Sequence, residues 1–232
     1  MRFANPLIPG RLIRRYKRFL ADVELDAGGL LTAHCPNSGS MLGCDEPGSP
    51  VLLSRSDNPG RKYPHTLELV RVGETWVGIN TSRTNGLVAE GIAAGVVKEL
   101  AGATTIRPEV RVSQRSRLDF LLTIEGAPVY LEVKNCTLAV GRAAMFPDAV
   151  TTRGARHLEE LLALRRNGQR AVVLFCVQRE DVQWFSPASH LDPAYAEGLR
   201  IAMAGGVEAL AYRAILSPEE IRLAHRLEVR VK

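Results

Sequence analysis

The sequence predicts two domains in order, a small all-β barrel over residues 1–82 and a mixed α/β sheet flanked by helices over residues 83–232. Three observations carry this reading. Short β-prone runs, punctuated by Gly, Pro, Asn and Asp, fill the first part of the chain. A helical period first appears after Asn80. From there, helical and β-prone segments follow one another in the order α-β-β-β-α-β. At 232 residues and 46% hydrophobic, the chain has material for one large core or two smaller ones.

In the first domain, Leu12–Leu25, Leu30–His34, Val51–Ser56, Thr66–Val72 and Thr75–Asn80 read as five strands. Gly28-Gly29 and Gly73-Glu74 supply hairpin turns. Five short strands fit an OB-like barrel, a fold that often binds oligonucleotides, and an SH3-like barrel fits nearly as well. Charge points the same way. The first 20 residues hold six cations (Arg2, Arg11, Arg14, Arg15, Lys17, Arg18) and no acid, whereas residues 21–84 hold five basic and eight acidic groups. With Tyr16 and Phe19 interleaved, this basic strand suits phosphate contact and base stacking; a solvated cationic edge strand would read alike. Arg61 and Lys62, in the loop Asp57–Tyr63, join the candidate nucleic-acid contacts, as does Arg117. The loop Thr32–Met41 lacks zinc-ligand spacing and reads either as a phosphate-cradling backbone or as an ordinary Asx/Ser turn.

In the second domain, Thr84 or Asn85 is placed to cap a helix over about Gly86–Leu100, with Val88, Ile92, Val96, Val97 and Leu100 on its apolar face. Strands follow near Glu109–Val112, Leu118–Ile124 and Val129–Asn135. A helix at Ala155–Arg166 and a buried strand at Ala171–Gln178 come next. Asp192-Pro193 opens a helix to about Ala204, Val207–Arg213 is a strand, and Ser217-Pro218-Glu219-Glu220 spells a capping box for a short last helix before Leu227–Val231.

The chemistry centres on two of these strands. A turn at Glu125-Gly126-Ala127-Pro128 that sets Ile124 opposite Val129 puts Asp119 opposite Lys134 and diagonal to Glu132, roughly 7–8 Å apart on one face. Two carboxylates at that spacing can hold a divalent cation, and the ammonium can orient water or offset phosphate charge. The same residues also fit a cross-strand Asp–Lys ion pair beside a solvated Glu. The spacing Asp119…Glu132-Val133-Lys134, inside the α-β-β-β-α-β order, resembles the PD-(D/E)XK nuclease-like superfamily. That resemblance implies Mg²⁺ or Mn²⁺ held by Asp119 and Glu132, with Glu90 from the first helix. It also implies Gln178 near the site, and Arg153 and His157 are near enough in the chain to contact phosphates.

Longer words carry a further resemblance. Arg15-Tyr16-Lys17-Arg18-Phe19-Leu20-Ala21-Asp22-Val23, Thr32-Ala33-His34-Cys35-Pro36-Asn37, Gly39-Ser40-Met41, Ser116-Arg117-Leu118-Asp119-Phe120-Leu121, Glu132-Val133-Lys134-Asn135 and Phe146-Pro147-Asp148-Ala149-Val150-Thr151 are similar to the sugar fermentation stimulation protein (SfsA) family. The resemblance implies an OB-like domain followed by a nuclease-like domain, DNA as partner, and a regulatory effect on sugar (maltose) metabolism. Two functions stay open: a metal-dependent nuclease, and a non-catalytic DNA-binding regulator of transcription. The absence of an 18-residue apolar run predicts no membrane span, and the N-terminus lacks secretion signals. Four cysteines without paired spacing read as reduced core thiols, so a cytoplasmic location is expected.

Overall fold

A computed structural model of the chain describes residues 1–114 and 116–231. Its first half is a closed barrel. Strands β1 (Ile8–Tyr16), β2 (Leu20–Leu25), β3 (Leu30–His34), β4 (Pro50–Arg55), β5 (His65–Val72) and β6 (Thr75–Gly78) run in the order β3-β2-β1-β4-β5-β6. A parallel pairing of His34 with Thr66 joins β3 to β5, so the first five strands close on themselves as an OB barrel. Alternate residues such as Leu12, Ala21, Val23, Ala33, Leu53 and Leu67 fill it.

The expected strand Leu12–Leu25 is two strands. Lys17 and Arg18 both lie in the left-handed region (φ 48° and 63°), turning the chain between Tyr16 and its partner Leu20. Neither residue is a usual turn former, which is why the corner was not legible.

The second half is a nine-stranded mixed sheet. It contains β7 (Ala103–Arg111), β8 (Arg117–Ile124), β9 (Ala127–Cys136), β10 (Leu138–Val140), β11 (Ala143–Phe146), β12 (Arg170–Val177), β13 (Trp184–Pro187), β14 (Glu208–Leu216) and β15 (Ile221–Val229). Their order is β10-β11-β13-β15-β14-β12-β9-β8-β7. Helix α1 (Thr84–Ala93) packs on one face, over Val129, Leu131, Val133, Val172 and Leu174. Helices α2 (Thr152–Arg166) and α3 (Pro193–Ala204) cover the other, over Ala171, Val173, Phe175 and Val177. The strand Ala171–Val177 is buried on both faces, as its unbroken apolar run requires.

Three further expectations are corrected. The first helix stops at Ala93 instead of Leu100. Gly95 takes φ 70°, and Val96 and Gly95 donate to the carbonyls of Gly91 and Ile92, a Schellman-type end. The Ser217 capping box opens no helix. Ser217 Oγ accepts from the Glu219 and Glu220 amides inside a turn, and the next residues form β15, paired antiparallel with β14. The capping-box spelling is shared with Ser turns, and burial of Ile221, Leu223 and Leu227 decides for the strand. In the β8–β9 hairpin the turn is only Glu125-Gly126 (φ 52° and 79°), so Ile124 faces Ala127 and the register differs by two residues from that expected. The shift is even, so side-chain parity survives.

The N-terminus joins the two halves. Arg2 bridges to Glu220, and Met1, Phe3 and Leu7 pack with Leu52, Leu69, Leu87, Leu216 and Ile221. Among the described residues, no helix is long and apolar enough to cross a membrane.

Candidate functional site

Glu132 and Lys134 point from β9 toward α2, because Val129, Leu131 and Val133 between them are drawn into the α1 side. Both are buried, Glu132 at 3% exposure and Lys134 at 9%. Lys134 Nζ donates to Glu132 Oε1 at 2.6 Å. His157 presents Nδ1 to the same oxygen from the buried face of α2 and lies 3.4 Å from Lys134 Nζ. Beyond it, Arg153 Nε lies 3.5 Å from His157 Nε2. Among the described residues nothing donates to Glu132 Oε2, although that atom is buried. A buried carboxylate oxygen without a donor costs roughly 1–3 kcal/mol or more, so it calls for a partner such as an ordered water or an ion.

Asp119 sits where the hairpin opens. The β8–β9 pairing runs from Ile124–Ala127 only to Phe120–Leu131. One residue further, Asp119 Oδ2 accepts the Val133 amide at 2.8 Å, and Oδ1 accepts from Asn85 Nδ2 at 2.8 Å. The carboxylate thus stands in for a ladder carbonyl and ties β8, β9 and α1 together. Asn85 was expected among the cap candidates for the helix; in fact the residue before α1, Arg83, makes no side-chain cap. Thr84 and Asn85 spend their polar groups on the sheet instead, Thr84 Oγ1 donating to Asn135 Oδ1 at 3.0 Å.

The two acids are held apart in proton affinity. Burial, and then the Glu132 charge, raise the Asp119 carboxyl above its ordinary value, against the pull of the Val133 amide and Asn85. Burial would raise Glu132 too, but His157 and Lys134 outweigh it and hold Glu132 below its ordinary value. Paired carboxylates pushed in opposite directions are a feature of functional sites.

Gln178, fully buried, closes the far end of β12. Its Nε2 donates to Thr84 Oγ1 at 3.2 Å and contacts Asn135 Oδ1, while its backbone carbonyl accepts the Gly78 amide at 2.9 Å. It therefore couples the barrel to the floor of the site. Glu90 is not brought to this cluster. It lies further along α1 than Asn85, half exposed, with Oε2 2.7 Å from the Met1 ammonium. Among the described residues, no three carboxylate, imidazole or thiol groups converge.

The basic residues divide. Arg15 donates to the carbonyls of Arg18, Asn37, Gly39 and Ser40, so it organises the loop Asn37–Ser40. Arg14 pairs with Asp22 at 2.8 Å and lies over the Tyr16 ring, whose hydroxyl also donates to Asp22. Arg117 pairs with Glu109 at 3.5 Å. Arg61 donates to Thr66 Oγ1, and Lys62 lies over the Tyr63 ring. Lys17 and Arg18 form the exposed β1–β2 corner, and among the described residues the Arg18 side chain donates only to the Ser38 carbonyl. Between that corner and the segment Phe146–Arg153 runs a cleft of about 690 Å³, with Asn135 on its floor. Asp148, which sequence reading passed over, clasps its two sides: its Oδ2 accepts the Met41 amide at 2.9 Å and its carbonyl accepts from Ser40 Oγ at 2.7 Å.

Comparison with known proteins bears on this arrangement. The model of the SfsA N-terminal OB domain matches residues 13–79, and that of the sugar fermentation stimulation protein RE domain matches residues 82–220. The chain belongs to the sugar fermentation stimulation protein family. A homolog from Pelobacter propionicus is 59% identical over 224 residues, 97% of each chain. One from Geotalea uraniireducens is 55% identical over 231 residues, the whole of both chains. The structure of Pyrococcus furiosus SfsA in complex with Ca²⁺ matches with a TM-score of 0.91 at 30% identity, over 100% of this chain and 98% of that one. This SfsA-family chain thus has the OB barrel and the mixed sheet with helices in the order expected.

Proposed function

We propose that this SfsA-family protein is a divalent-cation-dependent nuclease that binds DNA and hydrolyses its phosphodiester bonds. The observation that carries the proposal is Glu132 Oε2, buried and without a donor among the described residues, on a carboxylate whose other oxygen meets Lys134 and His157. The donor set fits a hard cation: Asp119 and Glu132 offer oxygen ligands, and Mg²⁺ habitually completes its shell with water and substrate phosphate. The Ca²⁺ complex of the Pyrococcus furiosus relative supports a divalent ion in this family's fold. Mg²⁺ or Mn²⁺ held by these two acids would polarise the scissile phosphate and acidify a water.

The protein's own groups supply the rest. Lys134, fixed by Glu132, carries a positive charge for a phosphoryl oxygen. Arg153, beside His157, extends the positive wall toward the solvent side of α2. Asn85 and the Val133 amide fix the Asp119 carboxylate. The four cysteines, all free and buried, support action in the reducing cytoplasm.

One observation favours a second reading, a non-catalytic DNA-binding regulator: both Asp119 oxygens already accept hydrogen bonds, and Glu90 adds no third acid. Incubation of the purified protein with DNA or RNA, single- or double-stranded, with Mg²⁺, Mn²⁺ or EDTA, separates the two. Metal-dependent cleavage, lost in Asp119→Ala and Glu132→Ala, is the expected outcome. Binding without cleavage, unchanged in both variants, refutes the nuclease.

A further inference from the structure

Resting on that phosphodiester chemistry, we infer that the cleft between barrel and sheet domain takes a single unpaired nucleic-acid strand, gripped between Arg18 on the barrel and Arg153 on α2. Four observations carry it. The cleft of about 690 Å³ is of the size that holds small ligands, room for a short stretch of one chain. Its two sides are tied together at Asp148 through Met41 and Ser40, so it does not widen without breaking those bonds.

The third observation is a guanidinium on each side of the cleft. Many arginines of the chain, among them Arg14, Arg71, Arg117, Arg170, Arg200 and Arg226, pair with acids. Among the described residues no acid pairs with Arg18 or Arg153, which meet only the Ser38 carbonyl and the His157 ring. Both are exposed, so each has donors for a phosphate. Lastly, Val150 lines the cleft at 73% exposure, an apolar surface of the kind an unstacked base covers. Arg153 also touches His157, which meets Glu132, although neither His157 nor the two acids line the cleft itself. In this arrangement the OB barrel forms one wall of the strand-binding cleft.

The test measures binding by fluorescence anisotropy in EDTA, where cleavage plays no part, with a labelled single-stranded DNA, the same sequence as RNA, and the matching duplex. Single strands should bind about tenfold or more tighter than duplex. Arg18→Gln and Arg153→Gln should each weaken single-strand binding and lower its salt slope by about 0.7, the share of one phosphate contact. Val150→Glu, at an exposed position that leaves folding intact, should weaken it at least about fivefold by charge repulsion, whereas Arg200→Gln on α3 should not. The relative affinity of DNA and RNA identifies which strand is the ligand. Duplex bound as tightly as single strand, or single-strand binding unchanged in Val150→Glu and Arg18→Gln, overturns the inference. Metal-dependent cleavage that survives such a result leaves the nuclease reading standing. Single-strand binding lost in these variants, with no cleavage in the parent, leaves the groove standing without the nuclease.

Discussion

Replacing Glu132 by Gln removes one charge from a buried cluster and keeps the side-chain shape. In the parent, Glu132 accepts from Lys134 Nζ at 2.6 Å and meets His157, all three side chains being nine-tenths or more buried or nearly so. The variant leaves the Lys134 ammonium without its carboxylate. Breaking a buried pair by removing one partner costs about 3–5 kcal/mol, and the retained amide oxygen, still an acceptor, puts the expected loss near the lower end, at about 3 kcal/mol. Against a total stability of about 5–15 kcal/mol this is readily measured by urea unfolding in EDTA.

The pH dependence has a definite sign. Glu132 is held below its ordinary value of 4.5, so its contribution is full above that value and fades as pH falls through the lowered one. The gap between parent and variant should therefore close in acid. Asp119 has the opposite sign, since its carboxyl is raised above the ordinary 3.8 and its ionised form opposes folding at neutral pH. Asp119→Asn, measured the same way, should match or exceed the parent to within about 1 kcal/mol, because an asparagine oxygen still accepts the Val133 amide and Asn85 can turn its own amide. A Glu132→Gln protein as stable as the parent at pH 7 would refute the account of the cluster, as would an Asp119→Asn protein that loses as much as Glu132→Gln.

Three other outcomes are expected. Glu68, 1% exposed, accepts from Arg83 (2.6 and 2.8 Å), Ser54 (2.6 Å) and Asn80 (2.9 Å), so Glu68→Ala should cost about 3–5 kcal/mol in urea unfolding. In Gly78→Ala, the new methyl would lie 2.9 Å from Gln178 Cδ and 3.1 Å from its Cβ, in addition to contact with Oε1. The buried Gln178 has little room to yield, so a loss of about 1–3 kcal/mol is expected by the same assay. Burial pushes the Cys44 and Cys176 thiols up to about 11 and about 12, and Cys136 higher still, so an aromatic disulfide reagent should titrate these thiols only after denaturant is added.

Much of the chain was legible because periodicity and turn chemistry are local. The run Ala171–Val177 announces a strand covered on both sides, and Val88, Ile92, Val97 and Leu100 are buried together even though the helix carrying the first two ends at Ala93. Side-chain parity along β9 puts Glu132 and Lys134 on the α2 side whatever the hairpin register, since alternation is unchanged by an even shift, whereas Asp119, beyond the last β8–β9 pair, turns to the Val133 amide and to Asn85 on α1. Long family words in the sequence already imply the domain order. What tertiary structure alone decided are the pairings between distant segments. Arg15 is a cation in the sequence and, once folded, a clasp for four carbonyls, because the loop Asn37–Ser40 returns beside it. Glu90 has the residue type of a metal ligand but a place on α1 that turns it to the Met1 ammonium. His157, 25 residues from Glu132, meets it only because α2 packs on β12, the strand beside β9. Local pattern specifies elements and faces; which polar groups find one another depends on how the faces are stacked, and that information is spread over the whole chain.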